Sequence, residues 1–515
     1  MPQKPSARGQ WKSRLGFILA ASGSAIGLGN IVFFSANAYQ FGGGAFYLPY
    51  LIALFFVGIP VMTLEFGLGA FTGRAFPEAL YRVAGRKGEF AGWWAIFNAA
   101  LITMWYITIL GWVVGMFFGA LGDLWKPSVA LPAFGIAEGA VGNPVAYFFH
   151  MLSSWMPVVF VVIIWILNIV ITRNGAESIE QATRVFVPLM WIFMIVLIVR
   201  GITLAHGFQG VMLLFAPDFS VMKDPQVWRG AFAQIFFTLS LGFGVMTAYA
   251  SYLPKKSDHT QNAYITSLLN CGFEYIAGLA VFSLLFVFAV VPKASTISMM
   301  FFIIPQGIAK LPGGPAMVMG FGLLFFVLLI IAGLTSSVSL VEALTSAIHD
   351  KYGTPRKSTL MWAGAVGVIG SVVFALPMVV DPHLADNGTL GLTLTDIVSH
   401  WNFDYGLLIV GFVECVLVGW VMGPRTIRDM LNRHSTIQLG SSFDVLIKWI
   451  IPAVILFLLG WAVFGEFRGL YGVGYNAHYA ARYSWMKYVP QASLIVWLFG
   501  CAAAAWIFTR KGSYE

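Results

Sequence analysis

Apolar residues fill this chain in blocks longer than a soluble core needs, separated by short polar connections. A helix crosses a bilayer with about 20 mainly apolar residues. Twelve segments qualify, near residues 14–38, 42–72, 90–122, 156–172, 182–203, 229–253, 260–291, 315–348, 359–380, 394–423, 444–466 and 490–509. Their length and spacing predict an all-α polytopic membrane protein with 12 transmembrane helices. Basic residues fall in every other connection. Lys4, Arg8, Lys12 and Arg14 precede or open the first segment; Arg74, Arg82, Arg86 and Lys87 follow the second; Arg173 and Arg184 the fourth; Lys255 and Lys256 the sixth; Lys351, Arg356 and Lys357 the eighth; Arg425, Arg428, Arg433 and Lys448 the tenth; Arg510 and Lys511 the last. Basic connections stay inside, so both termini are expected in the cytoplasm and the chain in the plasma (inner) membrane. The connections at 123–155, 204–228, 292–314 and 467–489 are long, carry Trp, Pro and Gly, and are expected outside, over a solute path.

Composition narrows the class. Of 515 residues 59% are apolar and 10% charged, with mean hydropathy +0.81; a soluble protein carries roughly 25% charged residues. A disordered chain, a secreted disulfide scaffold and an ordinary cytosolic enzyme are excluded, while transporter, channel, receptor and intramembrane enzyme remain. The net charge of +8 is spread thinly between apolar runs, so no nucleic-acid partner is expected. Cys271, Cys415 and Cys501 each lie in an apolar stretch without C-x-x-C spacing and read as buried thiols. The basic start followed by an apolar run is also the form of a signal peptide, but Gly27-Leu28-Gly29 inside the run and the many similar runs after it argue against cleavage. With no P-loop, H-E-x-x-H or G-x-S-x-G, the chain reads as a non-enzyme that draws its energy from elsewhere.

Two segments are interrupted by glycine at matching places. The first reads Gly23-Ser24-Ala25-Ile26-Gly27-Leu28-Gly29-Asn30, and the sixth reads Phe237-Thr238-Leu239-Ser240-Leu241-Gly242-Phe243-Gly244. Either motif alone is more often a close helix contact. As a pair opening two five-helix halves, they point to a 5+5 inverted repeat with broken helices 1 and 6 around a central site. The repeats would span 14–203 and 229–423, after an N-terminal cytoplasmic segment 1–13 and before helices 11 and 12 at 444–509. Where a helix unwinds in hydrocarbon, backbone groups lose their partners at a cost a ligand can relieve. Half-helix N-termini then suit a carboxylate, and freed carbonyls suit a cation or an ammonium. An α-amino acid with Na⁺ meets both needs.

Trp11–Gly44, Ala216–Tyr252 with QIFFTLSLGFG at Gln234–Gly244, and AGLTSS at Ala332–Ser337 resemble the neurotransmitter:sodium symporter family, in particular its bacterial amino-acid transporters of the leucine-transporter type. Weaker similarity covers nearly the whole chain. The resemblance implies a first Na⁺ site from the Ala25 carbonyl, Asn30, Thr238 and Asn270, completed by the substrate carboxylate. It implies a second from the carbonyls of Gly23, Ile26 and Ala332 and the hydroxyls of Thr335 and Ser336. Ser and Thr also bond the preceding turn of membrane helices, which is the alternative for Thr335 and Ser336. The substrate carboxylate would meet the amides of Leu28 and Gly29 and the Tyr106 hydroxyl. The amino group would meet carbonyls of Ala25, Phe237 and Thr238 and the Ser240 hydroxyl. Ile102, Phe237, Phe243, Ser339 and Leu340 would line the side-chain pocket. Ser24 stands where amine-carrying relatives have an acid, which favours a substrate bringing its own carboxylate. Gly242-Phe243-Gly244 resembles the leucine-type pocket more than the Met-centred one of relatives taking aromatic substrates, which implies a small or branched aliphatic substrate.

Glu65, Glu274, Glu342 and Glu414 lie within spans, where an acid is a functional hypothesis by default. Glu274 falls one turn after Asn270, on the same face. The resemblance implies that it replaces chloride as the negative charge near sodium, with proton uptake on the return step; a buried packing acid is the alternative. Glu65 resembles a residue that bonds the broken first helix, while Glu342 and Glu414 have no assignment. Arg8, Trp11 and Asp350 match an inner gate in which an Arg–Asp pair ties the N-terminus to the eighth span. The outer gate departs from the family: Phe33 and Ser399 replace an Arg and an Asp, and Ser35 a Pro. Closure by aromatic contact, with Phe33 over Phe237 and Tyr106, is expected, with Asp396 as the remaining acid. The reading is a Na⁺-coupled symporter of a neutral amino acid in the lipid bilayer, with room for a homo-oligomer. Its rivals are a transporter of another zwitterion or without sodium coupling, a binding-only sensor and an ion channel.

Overall fold

The computed structural model describes residues 9–126, 143–288, 296–380, 390–472, 487–510, 512 and 514. Among them there is no strand, and each of the twelve apolar segments is helical. The first is bent by 53° between α1 (Arg14–Ala25) and α2 (Leu28–Gln40). Then come α3 (Gly43–Thr72), α4 (Phe76–Gly119), α5 (Met156–Thr172), α6 (Ala176–Thr203), the broken pair α7 (Pro225–Thr238) and α8 (Val245–Ser251), and α9 (His259–Val287). The series closes with α10 (Pro315–Tyr352), α11 (Arg356–Val380), α12 (Leu394–Met422), α13 (Ser441–Arg468) and α14 (Val489–Arg510). Among the described residues nine helices are long and apolar enough to span, or up to eleven when each bent pair counts once. The sixth segment misses that length because Leu239–Gly244 divides it into pieces of 14 and 7 residues.

Two boundaries differ from the sequence reading. α4 begins at Phe76, before the apolar run, and is interrupted where Gly85 takes φ +60, a left-handed turn that glycine permits. A further helix, Pro144–Leu152, meets α5 at 82°. Residues 127–142 of the connection at 123–155, 292–295 of that at 292–314 and 473–486 of that at 467–489 lie outside the described residues.

The bundle is inverted relative to a soluble protein. Ile192, Ile195 and Val199 on α6, Phe457, Trp461 and Phe464 on α13, and Val496 and Phe499 on α14 are exposed, an apolar surface that lipid accommodates and water does not. Glu65, Asn98, Asn168, Asn270, Glu274, Glu342, Asn402 and Glu414 are wholly buried. The two broken spans open the two halves of a 5+5 inverted repeat and meet at its centre. There α1 packs on α6, α9 and α10, and α2 on α9.

Candidate transport site

α1 stops where Ile26 turns extended (φ −72, ψ 94). A Cβ on Gly27 would lie 3.0 Å from Ser336 Oγ and 3.2 Å from the Tyr106 hydroxyl, so glycine lets this break approach both α10 and α4. The Gly27 amide donates to Asn30 Oδ1 at 2.8 Å and starts α2. The Leu28 amide donates to the Tyr106 hydroxyl at 3.4 Å. The positive end of α2 thus faces a phenol, with open space around the Cα of Gly29. Free first-turn amides, a helix dipole and a hydroxyl suit a carboxylate.

The second break carries Ser240 at φ +53 and Gly242 and Gly244 at φ +77 and +73. Ser240 Oγ donates to the Ser24 carbonyl at 3.2 Å, joining the two breaks, and Ser336 Oγ donates to the same carbonyl at 3.0 Å. Ser24 Oγ donates to Ser339 Oγ at 2.6 Å. Glu65 departs from expectation: its Oε1 accepts the Gly242 amide at 2.8 Å, so it braces the sixth span, not the first. The unwound turn exposes that amide on the α3 side, where a buried acceptor is needed.

Beside the breaks lies a buried polar cluster. Asn30 Nδ2 donates to Thr238 Oγ1 and Asn270 Oδ1, both at 2.8 Å, and Asn270 Nδ2 donates to Thr238 Oγ1 at 2.8 Å. Thr238 Oγ1 donates to Glu274 Oε1 at 2.6 Å, and Gln234 Nε2 donates to the same oxygen at 2.8 Å. Tyr50 donates to Glu274 Oε2. Neutral oxygens next to one shielded carboxylate suit a monovalent cation, which a bare carboxylate ligand would hold too tightly to release. Of the residues expected at the second cation site, Gly23 sits against Thr335, and Ile26 and Ala332 are wholly buried. The Thr335 hydroxyl donates within its own helix, to Ile331 and Ala332 carbonyls at 3.1 and 3.0 Å, while Ser336 reaches across to α1.

Ile102, Phe243, Ser339 and Leu340, the residues expected to line the side-chain pocket, are all buried. The aromatic cover differs from expectation. Phe237 is stacked by Phe403, ring centroids 4.4 Å apart, and Phe403 also meets Trp105 and Phe243. Among the described residues Phe33 makes no ring contact with Phe237 or Tyr106. α12 contains a π-helical turn at His400–Tyr405, and the added residue turns Phe403 onto Phe237. Ser399 donates to the Asp396 carbonyl in its own helix, and Asp396 accepts from the Tyr471 hydroxyl.

On the face bearing the N-terminus, Trp11 Nε1 donates to the Tyr249 carbonyl at 2.8 Å and its ring packs edge-on to Phe17, Tyr249 and Tyr252. Asp350 accepts the Ala75 amide at 2.7 Å and lies 3.9 Å from Arg74. Arg8, the expected partner, lies outside the described residues. Glu342 accepts from the Tyr252 hydroxyl at 2.6 Å and pairs with Arg356. Glu414 is wholly buried, and among the described residues neither carboxylate oxygen has a hydrogen-bond partner. Sequence reasoning missed Phe403, Tyr50, Gln234 and Arg356. Gln234 was within reach, being one helical turn before Thr238; nothing local marks the others.

The chain matches the sequence model of the Sodium:neurotransmitter symporter family over residues 8–127 and 149–509. It is 36% identical over 469 residues to an uncharacterized sodium-dependent transporter of Methanocaldococcus jannaschii, covering 87% of this chain and 89% of that one. It is 29% identical over 483 residues to the creatine transporter of Torpedo marmorata, covering 87% and 76%. Among solved structures, MhsT in complex with L-phenylalanine superposes with a TM-score of 0.75 at 29% identity, covering 88% of this chain and 99% of that one.

Proposed function

The chain belongs to the Sodium:neurotransmitter symporter family, and from that premise we propose that it carries a neutral amino acid, small or branched aliphatic, across the plasma membrane together with Na⁺ by alternating access. The observation that carries this reading is the meeting of the α2 N-terminus and Tyr106 with the Asn30–Thr238–Asn270 cluster across the two breaks. The first fits a carboxylate and the second a cation, and a neutral Ser24 leaves the substrate to supply the negative charge. Ala25, with Asn30, Thr238 and Asn270, holds the first Na⁺; Gly23, Ile26, Ala332, Thr335 and Ser336 hold the second. For the latter the Thr335 hydroxyl must leave its own helix. Glu274 supplies the negative charge beside the first site, so transport needs no chloride. The amino group meets Ser240 and the carbonyls of Ala25, Phe237 and Thr238.

The face bearing the N-terminus is cytoplasmic, which makes Trp11 and Asp350 part of the inner closure and Phe403, over Phe237, part of the outer one. The crowding of Phe237, Phe243 and Phe403 favours an aliphatic side chain. An aromatic substrate is the second reading, because MhsT was solved with L-phenylalanine. The test is uptake of labelled leucine, alanine and phenylalanine by proteoliposomes under an inward Na⁺ gradient. Leucine or alanine accumulation that disappears in K⁺ supports the proposal. Accumulation of phenylalanine alone would establish the second reading, and saturable binding without accumulation would mean a sensor.

A further inference from the structure

The π-turn of α12 has two faces. One carries Phe403 onto Phe237; the other carries His400 into a polar cluster with α13. His400 Nδ1 lies 3.1 Å from Asp404 Oδ2, and Nε2 lies 2.8 Å from Glu466 Oε1. A neutral imidazole offers one N–H and one lone pair, and a lone pair directed at a carboxylate repels it. With both acids ionised, the two contacts are satisfied together only by the imidazolium. The ring is sandwiched as a cation would be: Tyr471 stacks on it with centroids 3.8 Å apart, and Trp401 and Tyr405 meet it edge-on. His400 and Glu466 are 15% and 18% exposed, so water screens this pair less than a surface pair.

Both oxygens of Glu466 are engaged, Oε1 by the turn and Oε2 by the chain that follows α13. Oε1 also accepts from the Tyr405 hydroxyl at 3.1 Å, and Oε2 accepts the Tyr471 amide at 2.8 Å. Asp396 connects through the Tyr471 hydroxyl, Arg229 of α7 acts on Tyr405, and α14 contributes the neutral Ser493, which accepts from Trp401. Asp404 is half exposed.

We infer that His400, as the imidazolium, is a positioning residue for transport: it ties the π-turn to α13 through Glu466 and thereby holds Phe403 over the substrate pocket. The inference rests on the proposed symport for its effect on substrate, but the tie itself is independent of it. Loss of the proton leaves one N–H between two carboxylates, which weakens the tie and lowers the fraction of molecules with Phe403 in place. Apparent affinity then falls by that fraction.

Two measurements on the full-length protein test this. In detergent without substrate, thermal stability of wild type and of His400→Gln is compared from pH 5.5 to 8.5. Wild type should be more stable at low pH, and the advantage should vanish as pH rises. In proteoliposomes with equal pH on both sides, the half-saturating substrate concentration of wild type should rise about three- to tenfold over the same range. His400→Gln and Glu466→Gln should each be flat at the high-pH value. A pH-independent stability difference overturns the tie. A pH-dependent tie with a flat half-saturating concentration overturns the positioning role. If no tested amino acid is taken up at any pH, the symport reading fails, and the stability comparison still decides the tie.

Discussion

Replacing Arg356 with alanine probes the closure on the N-terminal face. Glu342 is wholly buried in α10; its Oε1 accepts from the Tyr252 hydroxyl at 2.6 Å and from Arg356 Nη1 at 3.1 Å, and its Oε2 meets Nη2. The same guanidinium donates from Nε and Nη2, at 3.1 and 2.7 Å, to the Thr172 carbonyl that ends α5. Arg356→Ala therefore strands a buried carboxylate and a helix-terminal carbonyl together. Removing one partner of a buried pair costs about 3–5 kcal/mol. Arg356 is 24% exposed and Tyr252 still donates, so the lower end, about 3 kcal/mol, applies. Glu342→Gln keeps an acceptor for Tyr252 and leaves the cation on Thr172, which limits its cost to about 1 kcal/mol. The double variant removes the stranded charge and should recover part of the loss, a coupling of about 2 kcal/mol. Unfolding by SDS in mixed micelles gives the relative free energies. If Arg356→Ala costs no more than Glu342→Gln, or if the double variant is additive, the pair is solvated and α5, α8 and α10 are not joined by it.

Glu274→Gln removes the negative charge beside Asn270 and Thr238, and uptake should become chloride-dependent; equal uptake in chloride and gluconate would refute that role. Gly242→Ala places a Cβ 2.8 Å from the Leu407 carbonyl at φ +77, so uptake should be lost with the protein still in the membrane; near-normal uptake would show that the break tolerates repacking. Asp258, before α9, is partly desolvated, which raises its pKa, but hydrogen bonds from the Thr436 hydroxyl and amide, the Gln261 amide and Ser435 outweigh this and hold it below the usual carboxylate value. A depressed carboxylate stabilises above its unfolded pKa of about 3.9 and loses that contribution as pH falls through the folded value. Amide exchange at 434–437 should therefore accelerate in Asp258→Asn at pH 7 but not once pH has fallen through the folded value. Acceleration by the same factor at both pH values would refute the linkage.

The helical spans were legible because lipid demands long apolar runs, and the breaks were legible because glycine marks where helices stop. The residues that meet around those breaks, Asn30 with Thr238 and Asn270, came through the family resemblance and could not come from periodicity, since they are distant in sequence. What escaped was set by register. A π-turn is invisible in composition, yet it decides that Phe403 and not Phe33 stacks on Phe237. Arg356 looked like one of several inside-facing basic residues, because nothing in the sequence shows that α10 brings Glu342 to it. Glu65 was assigned to the wrong break for a related reason: the exposed amide of Gly242 arises only once the sixth span unwinds.

The central claim is a substrate site completed by sodium. It is tested most directly by thermal stability of the detergent-purified chain across a panel of amino acids, in Na⁺ and in K⁺ at equal ionic strength. A ligand present at 100 times its Kd stabilises the folded state by about 2.7 kcal/mol. The account predicts an upward shift that requires both Na⁺ and a neutral aliphatic amino acid and is lost in Asn270→Ala. Equal shifts in K⁺, or no shift with any amino acid, would contradict it.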